Sequence, residues 1–210
     1  MFVTKLGHSC VLVETEDRVG LFDPGVWSDK DLISAIDHVD RIAYTHEHPD
    51  HFDIDILREL VEKFPDAHVV CNDSVAQKIQ EAGLDCMVRE ETQCTRVFES
   101  AHDPRLPFVG VEAPEQTGFH FRDVFTHPGD SNSFSETKKV LAMPFVAPWG
   151  LPVEAIETAK KLKPKYILPI HDWLYSKEAR DWLQEALDAQ LKDDEIIVLP
   201  HENGIRHEIQ

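Results

Sequence analysis

Thr45-His46-Glu47-His48-Pro49-Asp50-His51 is the stretch on which the fold of this chain turns. His46, His48, Asp50 and His51 put three imidazoles and a carboxylate within one short segment, and these groups suit zinc and its borderline neighbours. On a helix they would spread around the cylinder, so they can converge only from a tight loop, which Pro49 favours. The apolar run Arg41–Thr45 predicts a strand before the loop. Behind it, Leu57, Leu60, Val61 and Phe64 fall at helical spacing from Asp53, and Pro65 closes the helix. Strand ends leading into helices are where α/β sheets place their sites. With this composition the pattern arises by chance in roughly a few of every thousand sequences, so a histidine-rich surface loop is the weaker explanation. Glu47 and Pro49 read as spacers.

Outward from that segment the chain is strand-rich at its start and then alternates. Phe2–Leu6, Cys10–Glu14 and Arg18–Phe22 are short apolar runs broken by Gly7 and by Glu16-Asp17, and they predict strands. A short helix is expected over residues 29–37. Ala67–Cys71 reads as a strand, and Asp73 as the cap of a helix running to Ala82, with Gly83 after its end. Residues 86–127 read as short strands interrupted by Pro104, Pro107 and Pro114. A buried strand is expected at Lys139–Met143. Pro152 suits a first helical position, followed by a face of Val153, Ile156, Ala159 and Leu162. Tyr166–Leu168 predicts a strand, Ser176 caps a helix bearing Ala179, Trp182, Leu183 and Leu187, and Ile196–Leu199 is the last strand. This mixture implies α/β layers with mixed sheets and helices outside. There is no repeat or linker, so residues 1–210 read as a single domain.

Composition narrows the function. The 39 acidic residues outnumber the 21 basic ones, for a net charge of −18. Nucleic-acid binding depends on clustered basic side chains, so no nucleic-acid partner is expected. No apolar run approaches the roughly 18 residues of a membrane span, and the start lacks a signal-peptide layout. The expected setting is the cytoplasm, with no membrane partner. Cys10, Cys71, Cys86 and Cys94 are widely spaced and read as free thiols. Neither a Gly-x-Ser-x-Gly nucleophile turn nor a phosphate-binding glycine loop occurs.

The segment His46-x-His48-x-Asp50-His51 resembles the signature of the metallo-β-lactamase superfamily. That resemblance implies a four-layer αββα sandwich with a metal site at one edge between the sheets. It also implies later elements, each of which has a counterpart here. Asp23 in Phe22-Asp23-Pro24-Gly25 fits an aspartate that orients ligands. His102 in Ala101-His102-Asp103-Pro104 fits the third histidine, Asp130 in Pro128-Gly129-Asp130-Ser131 the bridging carboxylate, and His171 after Ile167-Leu168-Pro169-Ile170 the last histidine. More narrowly, Gly7-His8-Ser9-Cys10, Asp23-Pro24, His102-Asp103-Pro104 and His127-Pro128-Gly129-Asp130 are similar to the subgroup that includes L-ascorbate-6-phosphate lactonase. In that subgroup the first histidine lies near the metals, so His8 becomes a candidate substrate contact.

Carried over residue by residue, the resemblance implies two divalent metal ions. Zinc is the first expectation, with manganese and iron as the other candidates. His46, His48 and His102 would hold one, Asp50, His51 and His171 the other, and Asp130 would bridge. The implied activity is hydrolysis of a small ester, lactone or phosphoester by a metal-bridging hydroxide, with Asp50 hydrogen-bonding the nucleophile or protonating a leaving group. The same superfamily includes iron-dependent redox enzymes, which usually carry glutamate where His48 stands, and RNA-processing enzymes, which the acidic charge disfavours. A non-catalytic metal-binding protein is a further alternative. The partner is a small-molecule substrate, and self-association is left open. Trp149 and Phe145 are candidates for a pocket wall, with core packing as the alternative. His120 and His127 read as structural, and His38, His68, His201 and His207 as surface residues.

Overall fold

A computed structural model describes residues 1–104, 112–145, 147 and 150–210. Two mixed sheets face each other. The first has seven strands: β1 (Phe2–Lys5), β2 (Val11–Glu14), β3 (Val19–Phe22), β4 (Arg41–Ala43), β5 (His68–Cys71), β6 (Met87–Val88) and β13 (Arg206–Glu208), in the order β13-β1-β2-β3-β4-β5-β6. The second has six: β7 (Thr95–Phe98), β8 (Gly118–Phe121), β9 (Phe125–His127), β10 (Val140–Pro144), β11 (Tyr166–Ile170) and β12 (Ile197–Val198), in the order β12-β11-β10-β9-β8-β7. In each sheet antiparallel hairpins give way to parallel strands, at β3–β4 in the first and at β9–β10 in the second.

Side-chain alternation explains why the layers stack. Val70 points between the sheets, whereas Val69 and Cys71 beside it meet the helices α1 (Lys30–Ser34), α2 (Ile54–Lys63) and α3 (Asp73–Glu81). In the other sheet Val140, Ala142 and Leu168 point inward, while Leu141, Met143 and Ile167 meet α4 (Pro152–Leu162) and α5 (Lys177–Leu191). Strands buried on both faces read as continuous apolar runs, as these do. The layers are therefore helix, sheet, sheet, helix, as expected.

Local signals held with corrections at the caps and faces. Asp53 and Ser176 cap α2 and α5 through their side chains, and Pro152 opens α4. The cap of α3 is Asn72, whose Oδ1 accepts from Val75 N, and Asp73 is the first helical residue instead. Val153 is 54 % exposed; Ala155 and Ala159 form the buried line of α4. Trp182 likewise faces outward from α5. Phe145 is packed in the core between the second sheet and its helices, which settles it as a core residue. His201 is buried beside α5, its Nε2 3.5 Å from Asp181 Oδ1, and His207 is half-buried in β13, where it pairs with Val3 of β1. The edge strand β13 went unpredicted. Trp149 and Pro107 lie outside the described residues. Among the described residues, no helix is long and apolar enough to cross a membrane.

Candidate metal centre

The segment after β4 forms the expected loop. His51 N and Phe52 N both donate to His48 O, and Val26 N donates to Pro49 O, so the segment after β3 is tied against it. That closeness requires Gly25: a Cβ there would lie 2.3 Å from the carbonyl carbon of Asp50. Gly129, with φ of 64°, turns the chain beneath Thr45 and Gln116. Gln116 Oε1 accepts from Asp130 N and its Nε2 donates to Ser100 O, which fixes the next carboxylate.

The structure brings every candidate ligand together in two groups. One holds His46, His48, His102 and Asp130; the other holds His8, Asp50, His51 and His171, and within each group the ligand atoms lie within 4.8 Å of one another. Asp130 stands between the groups. Its Oδ1 is 3.0 Å from His51 Nε2, and its Oδ2 is 3.1 Å from His171 Nε2, 3.5 Å from His102 Nε2 and 3.9 Å from His46 Nε2.

Do these residues fit a metal? His51 Nε2 and Asp130 Oδ1 are buried and make no geometrically sound hydrogen bond, although they face each other. His46 Nε2 and His48 Nδ1 are 3.1 Å apart, close to the edge of about 3.3 Å for a tetrahedron with metal–nitrogen bonds of about 2.0–2.1 Å. The outer partners set the tautomers this requires. Thr45 Oγ1 donates to Asp23 Oδ2 at 2.6 Å and therefore accepts from His46 Nδ1 at 3.0 Å. His51 Nδ1 donates to the same Asp23 oxygen at 2.8 Å, and His102 Nδ1 donates to Asp103 O at 3.0 Å. Each bond leaves Nε2 with its lone pair inward, the arrangement that metal-ligating histidines share. The donor set fits divalent cations.

The electrostatics mark the same pocket as a place for positive charge, for which protons and cations compete. Burial opposes charge on His51 and His171, but Asp130 and Asp50 beside them outweigh it and raise both, His171 to about 10. Burial also opposes ionisation of Asp130 and Asp50, yet the histidines around them hold both carboxyls below the ordinary carboxylate range. His46 and His48, chiefly through burial, are lowered and stay neutral. Backbone strain collects here too. His8, Asp23 and His171 all adopt left-handed conformations, with φ of 33°, 47° and 58°. Such residues cost on the order of 1 kcal/mol each and persist where their surroundings hold them.

A family model described as the beta-lactamase superfamily domain matches residues 2–171. The chain belongs to the metallo-β-lactamase superfamily. Relatives that share this membership are named metal-dependent hydrolases. A relative of this superfamily member, protein Rv0786c of Mycobacterium tuberculosis, is 29 % identical over 98 % of this chain and 99 % of its own. The UPF0173 metal-dependent hydrolase of Natranaerobius thermophilus is 27 % identical, covering 79 % of this chain and 81 % of its own. Among solved structures, the metallo hydrolase Igni18 of Ignicoccus hospitalis is similar in fold, with a TM-score of 0.75 and 16 % identity across 100 % of this chain and 99 % of its own.

Around the centre lie residues that the superfamily signature does not reveal. A cleft of about 610 Å³ opens beside His102 and is lined by Ser131, Asn132, Ser133, Thr158 and Lys161 among others. Both amide atoms of Asn132 are buried without a hydrogen-bond partner. On the opposite flank Trp27 packs edge-on against His8. His120 bonds Thr126 Oγ1 and stacks on Phe98, and His127 bonds Ser9 O, so both are structural. Cys10 is fully buried, and burial pushes its thiol up, which fits a core role.

Proposed function

We propose that this protein hydrolyses a small ester, lactone or phosphoester with two divalent cations, zinc being the first choice and manganese or iron the alternatives. One observation carries the reading: Asp130 stands between two groups of ligand-capable side chains, one oxygen towards His51 and the other towards His46, His102 and His171. His46, His48 and His102 would hold one cation, Asp50, His51 and His171 the other, with Asp130 shared.

When bound, the cations supply a hydroxide nucleophile at neutral pH and polarise the oxygen under attack. The chain's residues do the rest. Asp23 fixes the rings of His46 and His51. Asp50 is ionised, so its carboxylate accepts the nucleophile's hydrogen bond and can pass a proton to the leaving oxygen. His8 is sealed from solvent, with Nε2 3.0 Å from Asp50 Oδ2, and burial lowers it to about 4. A neutral His8 steadies Asp50, and in our reading it acts through that carboxylate rather than by touching substrate.

The test is metal content of protein purified without a histidine tag or chelator, followed by turnover of lactone and phosphodiester panels. Two zinc or manganese ions per chain, lost together with turnover in His48→Ala and Asp130→Ala, support the reading. A variant that keeps full metal and full rate sinks it. Two irons with oxygen-dependent chemistry would favour the redox alternative.

A further inference from the structure

Trp27 and Trp173 stack face to face, their ring centroids 4.6 Å apart and their planes 7° from parallel. Trp27 in turn meets His8 edge-on at 4.8 Å, and His8 Nε2 lies 3.0 Å from Asp50 Oδ2. Contact is therefore continuous from a surface indole to the metal centre. Both indoles ride on the segments that build the centre. Trp27 follows Val26, whose N–H is bound to Pro49 O, and Trp173 comes two residues after His171, whose N–H is bound to His8 O.

Core packing does not account for this pair. Neither residue belongs to the three buried apolar clusters. Trp173 is 53 % exposed, and Leu174 and Val26 beside the pair are also exposed. An indole left half in water, backed by a parallel partner, offers a flat apolar surface to a ring or a chain.

We propose that Trp27 and Trp173 form the wall that receives an apolar acyl or aryl group of the substrate, making the substrate an uncharged ester or lactone with a hydrocarbon or aromatic group. This rests on the hydrolase reading above. Water adds across the acyl C–O bond, giving a carboxylic acid and an alcohol. The net charge of −18 acts in the same direction at long range, where it disfavours the approach of anionic substrates, while the two proposed cations would offset it at the centre itself.

The experiment compares γ-lactones of increasing side-chain length on the metal-loaded enzyme, wild type against Trp173→Ala and Trp173→Phe. Burying each methylene is worth about 0.8 kcal/mol, or about fourfold in kcat/KM. The expected result is such a gradient in wild type, flattened in Trp173→Ala and partly restored in Trp173→Phe. Binding of γ-decanolactone to chelator-treated protein, followed by calorimetry, separates the two readings. Tight binding that weakens at least tenfold in Trp173→Ala, without turnover in the loaded enzyme, keeps the indole pair as an acyl-binding wall but removes the hydrolase reading and, with it, the assignment of an ester or lactone substrate. An unchanged gradient in Trp173→Ala overturns the inference. A preference for phosphorylated over alkyl substrates overturns it as well, as does a role for Trp173 only in self-association, seen as loss of dimer with the gradient intact.

Discussion

Lys5 Nζ donates to Asp172 Oδ1 at 2.6 Å, and both side chains are closed off from solvent. The bond joins β1 to the turn after β11, so it clasps the two segments that carry His8 and His171. Burial lowers the lysine's pKa, with Asp172 opposing that shift. Breaking one half of a buried pair strands the other charge and costs about 3–5 kcal/mol, whereas replacing both by apolar groups is often neutral. Lys5→Met should therefore lose about that much in chemical denaturation, and Lys5→Met with Asp172→Leu should recover most of it. If the pair also positions His171, the double variant will still bind one metal weakly while keeping its fold. Equal loss in single and double variants would count against the clasp.

Asp23 gives a sharper prediction. Its Oδ1 accepts from Thr45 N at 2.7 Å, and its Oδ2 accepts from Thr45 Oγ1 and His51 Nδ1. Asparagine has a single carbonyl oxygen, so one set of acceptor contacts must fail: with the oxygen kept on Thr45 N the ring of His51 is released, and with it kept on His51 the Thr45 N–H that anchors the loop is stranded. Loss of such an outer partner typically lowers metal affinity about 10- to 100-fold. Competition with a chromophoric chelator should show that drop in Asp23→Asn. An unchanged affinity would mean that His46 and His51 are oriented by packing alone.

What the sequence revealed follows from how local each signal is. His46 to His51 sit in one loop, so their residue types alone announce the candidate site. His102, Asp130 and His171 are single residues far apart, legible only through their order along a known pattern. Lys5 carried no local signal of that kind. Yet it shares the parity of Val3 in β1, which faces between the sheets, and period two places it inward as well. Trp27 and Trp173 could not be paired without the fold, since nothing in sequence links two turns so distant. The strand β13 escaped because it is a short edge with a charged residue at each end, Arg206 and Glu208, leaving no apolar run to read.

Asn132 is predicted to serve binding at the expense of stability. Its amide atoms are buried and unpartnered in the cleft wall beside His102. A buried polar group without a partner costs about 1–3 kcal/mol, so Asn132→Ala should leave the melting temperature unchanged or raise it. If the side chain turns into the cleft and its amide meets the substrate, the same variant should raise KM roughly fivefold, the worth of a typical hydrogen bond of about 1 kcal/mol. A lowered melting temperature with an unchanged KM would assign Asn132 to the scaffold.

His127 should make stability depend on pH in a stated direction. Its Nε2 donates to Ser9 O at 2.9 Å, and its Nδ1 accepts from Gly129 N at 3.2 Å. Both nitrogens are committed, so the folded state accommodates only the neutral ring. Burial lowers its pKa from the ordinary 6.5, with Asp23 opposing. Below pH 6.5 the unfolded chain takes up a proton that the folded chain refuses, and the stability present above that pH is lost as the pH falls, by about 1.4 kcal/mol per unit. In His127→Gln the amide can replace both hydrogen bonds and does not titrate. Chemical denaturation of metal-free protein between pH 5 and pH 7, in wild type and variant, isolates the contribution of this one ring. The variant should show a shallower decline towards acid, by about one proton's worth of slope. Parallel slopes would mean that His127 is protonated in the folded state, and the Gly129 turn that presents Asp130 would then need another acceptor.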